Sequence, residues 1–128
     1  MKHDPVNHPR HYTSHPSGVE AIEITRCMGF NLGNAWKYIA RSDHKGNRSQ
    51  DLAKALWYVL DDIKQRRQDR GVTLPHIDMP EGVLLWIDAE SALMRSIYIQ
   101  LWNANVSEDI DGLMRVAKAL RAMADEVS

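Results

Sequence analysis

Residues 49–70 read Ser-Gln-Asp-Leu-Ala-Lys-Ala-Leu-Trp-Tyr-Val-Leu-Asp-Asp-Ile-Lys-Gln-Arg-Arg-Gln-Asp-Arg, and this stretch decides the fold class. Its apolar residues recur at intervals of three and four, which is the repeat of one face of an α-helix. Those residues are Leu52, Ala55, Leu56, Val59, Leu60 and Ile63. Gly71 follows the stretch and favours its end. We therefore predict a long amphipathic helix over 49–70.

Four further helices are predicted around this one. Ser17 and Glu20 suit the start of a helix over about 18–28, and Asn31 suits the start of another over about 32–43, which Gly46 ends. The segment 80–103 is apolar on nearly all sides, which predicts burial against a partner subunit. Residues 108–127 carry apolar residues at alternating intervals of three and four, as in a coiled-coil seam. No long segment alternates with period two, so we predict an all-α fold.

The first residues form no predicted helix. Pro5, Pro9 and Pro16 remove amide donors and disfavour helix at the residues before them, so residues 4–17 are expected to be an extended arm. The predicted architecture is thus a five-helix domain with an extended N-terminal arm and a C-terminal helical hairpin. Within one compact domain, residues 1–71 are expected to handle the ligand and residues 72–128 to form an oligomerisation region.

Composition excludes several classes of protein. The chain has 128 residues, 44% of them hydrophobic, which suffices for one globular core. Its single cysteine, Cys27, cannot form an internal disulfide, and no stretch approaches the roughly 18 apolar residues of a membrane span. The opening Met-Lys-His-Asp-Pro lacks the apolar core of a signal peptide. We expect a cytoplasmic protein without a membrane segment.

The net charge of −1 conceals two unlike halves. Residues 1–70 carry 12 basic and 8 acidic residues, a net +4, whereas residues 71–128 carry 4 and 9, a net −5. Such asymmetry favours an anionic ligand, or a basic face that meets an acidic one across an oligomer interface. The alternative is two solvated surfaces whose composition differs by chance.

The most informative polar residues lie on the second predicted helix. Asn34, Lys37, Tyr38 and Arg41 stand at i, i+3, i+4 and i+7, so they share one face, and Lys45 follows just past the helix end. Arginine offers a planar fork of donors and lysine a compact charge, both suited to phosphate, while the amide and the phenol suit a base or a sugar. This face predicts a site for a phosphorylated small molecule. The alternative is the solvated side of an amphipathic helix.

Carboxylates on two predicted helices form a second candidate group. Glu20 and Glu23 stand three residues apart on the first helix and, with Asp51 or the pair Asp61 and Asp62, offer the oxygen ligands that a divalent cation prefers. We expect Glu20, Glu23 and Asp51 to hold magnesium. The alternative is that Glu20 caps its helix while Glu23 is solvated or pairs with a cation.

The N-terminal arm is rich in histidine. Asn7, His8, His11 and Tyr12 are expected to form a polar and aromatic lid over a bound ligand, or else to pack against the helices. The spacing of His8, His11 and His15 also suits zinc, although the prolines exclude the helix on which such a spacing brings ligands together.

Motifs of common nucleotide enzymes are absent from the sequence. It has no G-x-x-x-x-G-K-[ST] loop and no G-x-G-x-x-G segment, which excludes a conventional P-loop kinase or Rossmann enzyme. The basic run 64–70 ends the long helix, where cations interact favourably with the helix dipole, so nucleic acid is not the expected partner.

Five segments, in order, resemble a known family. They are Val6-Asn-His-Pro-Arg-His-Tyr12, Gly18-Val-Glu-Ala-Ile-Glu23, Leu32-Gly-Asn-Ala-Trp-Lys-Tyr-Ile-Ala-Arg41, Lys45-Gly46 and Asp51-Leu-Ala-Lys-Ala-Leu-Trp-Tyr58. Over about residues 5–63 the chain resembles a small phage-encoded family of unknown function whose members are often described as nucleotide kinases. That description comes from a coliphage member that phosphorylates deoxynucleoside monophosphates without a P-loop.

The resemblance implies a phage or prophage protein that handles nucleotides in the host cytoplasm as an oligomer. Carried onto this sequence, it implies three catalytic positions, Glu20, Asp51 and Lys54. The nucleotide-binding positions that it implies are Asn7, His8, His11, Tyr12, Asn34, Lys37, Tyr38, Arg41, Lys45 and Trp57.

These expectations combine into one leading function. We expect phosphoryl transfer to a deoxynucleoside monophosphate, with ATP as the donor, magnesium as the cofactor and no covalent nucleophile. A second hypothesis is a protein that sequesters nucleotides without turnover, and a third is an all-α hydrolase that resembles nucleoside triphosphate pyrophosphatases. The expected partner is a nucleotide or another phosphorylated small molecule, and residues 80–127 are expected to form a homo-oligomer interface.

Overall fold

A computed structural model of the chain describes residues 15–44 and 46–126. Within those ranges the chain forms six α-helices joined by turns and loops, and no described residue belongs to a strand. The helices are α1 (Ala21–Thr25), α2 (Phe30–Arg41), α3 (Arg48–Arg67), α4 (Glu81–Asp88), α5 (Ala92–Val106) and α6 (Ile110–Glu126). The all-α prediction is confirmed. Most of the predicted arm lies outside the described residues.

Helix α3 lies between α2 and α6 and packs extensively against both. Its buried side chains include Leu52, Ala55, Val59 and Ile63, which are members of the predicted apolar face. Leu60 belongs to the same predicted face but is exposed. The buried apolar side chains of the six helices join in one core cluster, and removing that surface from water is the main force that holds the helices together.

The predicted helix over 80–103 is wrong in one respect, because it is two helices. Helix α4 ends at Asp88, and Ser91 has an extended backbone and caps α5, its hydroxyl accepting a hydrogen bond from the amide of Met94. The two helices turn different faces to the core. As a result Leu84, Leu85 and other apolar residues of the segment are exposed, and residues 15–44 and 46–126 form six helices where five were predicted.

The C-terminal hairpin is formed by α5 and α6, which pack against each other as predicted. The last helix begins at Ile110, and its first turn is capped by Asp109, whose carboxylate accepts a hydrogen bond of 2.9 Å from the amide of Gly112. Ser107, the residue before the predicted helix over 108–127, instead donates its hydroxyl to the carbonyl of Asn103.

Arg66 fastens α3 to the end of α5. Its guanidinium is fully buried and donates hydrogen bonds to the carboxylate of Asp62 at 2.7 Å, and to the carbonyls of Ala104 at 2.6 Å and Ser107 at 2.8 Å. Those carbonyls are at the end of α5, where the helix has no partners of its own for them. Burial raises the pKa of Asp62, and the hydrogen bond from Arg66 opposes that rise. The basic run 64–70 therefore contains a structural residue.

Asn105 positions the start of α2. Its side-chain oxygen accepts a hydrogen bond of 2.8 Å from the amide of Gly29, the residue that caps α2, and its amide group donates to the carbonyl of Cys27 at 3.1 Å. The buried amide thus ties the turn between α1 and α2 to α5.

No helix within the described ranges is long and apolar enough to cross a membrane.

Candidate functional site

The polar residues predicted on one face of α2 meet a lysine of α3. On α2, Tyr38 stacks on Tyr58 of α3 and Arg41 faces Asp51 of α3, while Lys37 lies beside Tyr38. The Tyr38 ring has the Lys37 Nζ at 4.5 Å from its centroid, the Lys54 Nζ at 5.3 Å and the Arg41 guanidinium carbon at 5.8 Å. All three distances fall within the range of cation–π contact. We call these four residues the basic tyrosine site.

Asn34 shares their face of the helix but is turned elsewhere. Its side-chain amide donates a hydrogen bond of 2.8 Å to the carbonyl of Phe30, one turn earlier on the same helix. Together with Lys37, Gly29 and Gly33 it lines a cleft of about 330 Å³ at the start of α2. Asn34 therefore adjoins the basic tyrosine site without contributing a cation to it.

Asp51 lies beneath the site and faces Arg41. Its carboxylate is buried, and the Oδ1 atom lies 3.8 Å from the Nε of Arg41, whose side chain is about one third exposed. That distance is too long for a hydrogen bond, and Asp51 Oδ1 finds no hydrogen-bond partner among the described residues. A buried carboxylate with an unused acceptor is costly, and the nearby guanidinium offsets part of that cost.

Aromatic residues extend the site toward the start of α2. The ring of Tyr58 is stacked on that of Tyr38, with 5.9 Å between centroids and 9° between planes. Phe30 and Trp57 each meet Tyr58 edge to face, with centroids at 5.9 and 5.2 Å. Phe30 is 76% and Trp57 61% exposed, and large aromatic rings with so much exposed surface are typical of binding surfaces.

Phe30 and Trp57 line a cleft of about 290 Å³, which we call the aromatic cleft. Its polar lining includes Asn31, Asp61 and Gln65. The carboxylate of Asp61 accepts a hydrogen bond of 3.0 Å from the side-chain amide of Asn31 and a longer one, of 3.5 Å, from that of Gln65. The cleft therefore combines exposed aromatic surface with oriented donors and acceptors, as small-molecule sites do. None of Asp61, Asn31 and Gln65 was predicted as a nucleotide-binding residue, and Asp61 was considered only as a ligand of a divalent cation.

The predicted metal ligands are not gathered in one place. Glu20 occupies the cap position of α1, and Glu23 accepts a hydrogen bond of 2.7 Å from the amide of Glu20. Asp51 lies instead beside Arg41. Among the residues that the structure describes, no group of three or more histidine, cysteine, aspartate or glutamate side chains is suited to hold a metal ion.

Five predicted nucleotide-binding residues, Asn7, His8, His11, Tyr12 and Lys45, lie outside the described residues. The zinc hypothesis named His8, His11 and His15, and of these three only His15 lies within the described residues. Its ring is stacked on that of Trp86, with 3.6 Å between centroids. Its Nε2 lies 2.8 Å from the carboxylate of Glu90, and its Nδ1 lies 2.7 Å from the hydroxyl and 3.2 Å from the amide nitrogen of Ser17.

Glu90 forms a second polar group with His15, Asp43 and the hydroxyl of Tyr98. The group lies next to the buried rings of Trp36 and Trp86. Burial raises the pKa of Asp43, and repulsion from Glu90 raises it further. Complete burial likewise raises the pKa of Tyr98 well above its usual value, with Glu90 and Asp43 adding to the effect. The Tyr98 hydroxyl makes no hydrogen bond of standard geometry among the described residues, and the nearby Trp86 side chain opposes the rise in its pKa. No sequence pattern indicated this group, because its members come from four separate segments.

Comparison with known proteins adds one finding about the first half of the chain. Residues 6–60 match the sequence model of a family described as "protein of unknown function (DUF3310)". The matched range contains α1, α2 and the first part of α3, and therefore the whole basic tyrosine site. Neither the curated proteins nor the solved structures include a match to the chain.

Proposed function

We propose that this chain binds a nucleotide on the face formed by α2 and α3. In this proposal the phosphates lie at the basic tyrosine site and the base lies in the aromatic cleft. The observation that carries it is the convergence of three cations, Lys37, Arg41 and Lys54, around the ring of Tyr38. Like charges repel, so their convergence costs free energy, which a phosphate group between them offsets.

Phosphate suits these three side chains better than a single carboxylate does. The guanidinium of Arg41 presents paired donors, and Lys37 and Lys54 add two mobile charges on neighbouring helices. Asp51 is a positioning residue in this proposal, because its buried carboxylate holds the guanidinium of Arg41 toward α3 without neutralising the two lysines. The site keeps a net positive charge for the ligand.

The base is assigned to the aromatic cleft for two reasons. Stacking of a nucleic-acid base on an aromatic side chain contributes about 1–3 kcal/mol, and Phe30 and Trp57 offer exposed rings for it. Asp61 and its amide partners supply hydrogen-bonding groups at the same cleft. Tyr58 contacts Tyr38, Phe30 and Trp57, so it connects the phosphate end of the site with the base end.

The reaction that we propose for this site is phosphoryl transfer. The terminal phosphoryl group of ATP passes to a phosphate oxygen of a deoxynucleoside monophosphate, which yields ADP and the diphosphate. Such transfer depends mainly on positioning and charge neutralisation, which three cations provide. Magnesium enters this proposal bound to ATP, and Lys54 is the proposed catalytic residue within the site.

The catalytic role of Glu20 stays a prediction. We also propose that a phage or prophage encodes the protein and that it acts in the cytoplasm of the host cell.

The test begins with binding. Titration calorimetry with each deoxynucleoside monophosphate, and with ATP and magnesium, is expected to detect binding to the wild-type chain. Each of Lys37→Ala, Arg41→Ala and Lys54→Ala removes a charge-assisted contact of about 1.5–3 kcal/mol, so affinity is expected to fall roughly 10- to 150-fold. Lys64→Ala is the matched control, because Lys64 is an exposed lysine in the last turn of α3, beyond the site.

Turnover then separates the three hypotheses. Formation of nucleoside diphosphate from monophosphate and ATP supports the kinase. Tight binding without any product supports sequestration, and release of pyrophosphate from triphosphates supports the hydrolase. If the Lys37→Ala, Arg41→Ala and Lys54→Ala variants bind nucleotide as well as Lys64→Ala does, the basic tyrosine site is not the binding site.

A further inference from the structure

One exposed surface takes no part in the proposed nucleotide site. Helix α4 presents Glu81, Leu84, Leu85 and Asp88 to solvent, at positions i, i+3, i+4 and i+7. These four residues therefore share one face, with two leucines between two carboxylates. Leu84 is 56% and Leu85 48% exposed. We call this face the acidic ridge.

A surface of opposite chemistry lies between α3 and α6. It is a groove of about 430 Å³ whose apolar lining includes Leu60 and Met114, both exposed, together with the buried Ile63 and Ala117. Three exposed cations, Arg67, Lys118 and Arg121, line it as well, with a single carboxylate, Asp125. We call it the basic groove. An apolar floor among cations is suited to an apolar ridge flanked by carboxylates.

The two surfaces also agree in length. From Glu81 to Asp88 the ridge extends about 10 Å along its helix, and the lining from Leu60 to Arg67 extends about 10 Å along α3, at 1.5 Å per residue. Met114 adds a flexible side chain of the kind that adapts to a docked partner. Helix α4 packs against α1 and α5, whereas the groove lies on α3 and α6, so the ridge belongs to a different part of the molecule.

We propose that the acidic ridge of one copy of this chain docks in the basic groove of a second copy. Charge complementarity and matching length select this occupant, because the chain itself carries a surface of the required chemistry. The contact joins two different surfaces, so it occurs twice in a two-fold dimer, repeats around a closed ring or, where the rotation does not close, extends into a filament.

The test measures mass in solution by sedimentation over a range of protein concentrations. Wild type is expected to have the mass of two or more chains, and Leu84→Lys with Leu85→Lys is expected to give a single chain. Ile99→Lys is the control, because Ile99 is an exposed apolar residue of α5 outside the ridge and the groove. All substitutions are at exposed positions, and circular dichroism verifies that each variant stays folded.

Charge exchange gives the sharper result. The pair Lys118→Glu and Arg121→Glu makes the groove acidic, and the pair Glu81→Lys and Asp88→Lys makes the ridge basic. Each double variant alone is expected to be a single chain, since its ridge and groove then repel. An equimolar mixture is expected to associate again, because every ridge then finds a groove of opposite charge. The proposal is overturned if wild type sediments as a single chain, or if Ile99→Lys dissociates while the ridge variant does not. It is also overturned if the equimolar mixture stays dissociated.

Discussion

Arg66→Met is the substitution whose effect on stability follows most directly from the contacts. Methionine keeps much of the volume and the unbranched shape of the side chain, so little cavity is left behind. The substitution removes three hydrogen bonds of 2.6–2.8 Å and leaves Asp62, which is 6% exposed, without its cation. Removing one partner of a buried ion pair costs about 3–5 kcal/mol. That is a large part of the roughly 5–15 kcal/mol by which domains are stable.

Urea unfolding, followed by tryptophan fluorescence, measures this loss. With a slope of about 1–3 kcal/mol per molar urea, the midpoint is expected to fall by roughly 2 M. Lys64→Met is the control, because Lys64 is an exposed cation of the same helix outside the basic groove, and its loss is expected to change stability by less than about 0.5 kcal/mol. Adding Asp62→Leu to Arg66→Met is expected to recover part of the loss, since no carboxylate is then left unpaired. An Arg66→Met midpoint equal to that of Lys64→Met would refute the role given to Arg66.

Two further predictions concern the polar group near Trp86. The raised pKa of Tyr98 contributes stability that is present below about pH 10, the usual pKa of a tyrosine, and is lost as the pH rises above it. Tyr98→Phe is therefore expected to lose less stability than wild type when the pH is raised from 7 into the alkaline range. At pH 7 the variant is expected to be at least as stable as wild type, because a buried hydroxyl without a hydrogen bond of standard geometry is gone. Urea unfolding at both pH values checks this, and an equal or larger loss of stability in the variant contradicts it. His15→Ala is expected to cost about 2 kcal/mol, because it removes the ring stacked on Trp86 and leaves Glu90 without its donor; a thermal midpoint unchanged from wild type contradicts that expectation.

The sequence predicted the helices whose signals are local. The spacing of Leu52, Ala55, Val59 and Ile63 predicts α3, and the structure buries all four. The break between α4 and α5 was not predicted, although Asp88, Glu90 and Ser91 interrupt the apolar residues there and serine is a common helix cap. It depends on the cap formed by Ser91 and is held by Glu90, which binds His15, a residue 75 positions away.

The candidate site likewise has one part that the sequence predicts and another that only the packing of the helices brings together. Lys37, Tyr38 and Arg41 could be grouped from their helical spacing alone. Lys54 joins them only because α2 packs beside α3, and the residues that accompany Trp57 in the aromatic cleft come together through the same packing. Arg66 illustrates the limit most clearly. Its sequence position suits a favourable contact with the helix dipole, whereas its carbonyl partners lie 38 and 41 residues further along the chain.

The central claim is that a nucleotide binds across the basic tyrosine site and the aromatic cleft. The most direct measurement is a nuclear magnetic resonance titration of the ring signals of Tyr38 and the indole signals of the tryptophans with a deoxynucleoside monophosphate. Trp57 is exposed at the cleft, whereas Trp36, Trp86 and Trp102 are buried and act as internal controls. The account predicts saturable shifts at Tyr38 and Trp57 and little change at the three buried indoles. Saturable binding that leaves Tyr38 and Trp57 unchanged, or no binding of any deoxynucleoside monophosphate, would contradict it.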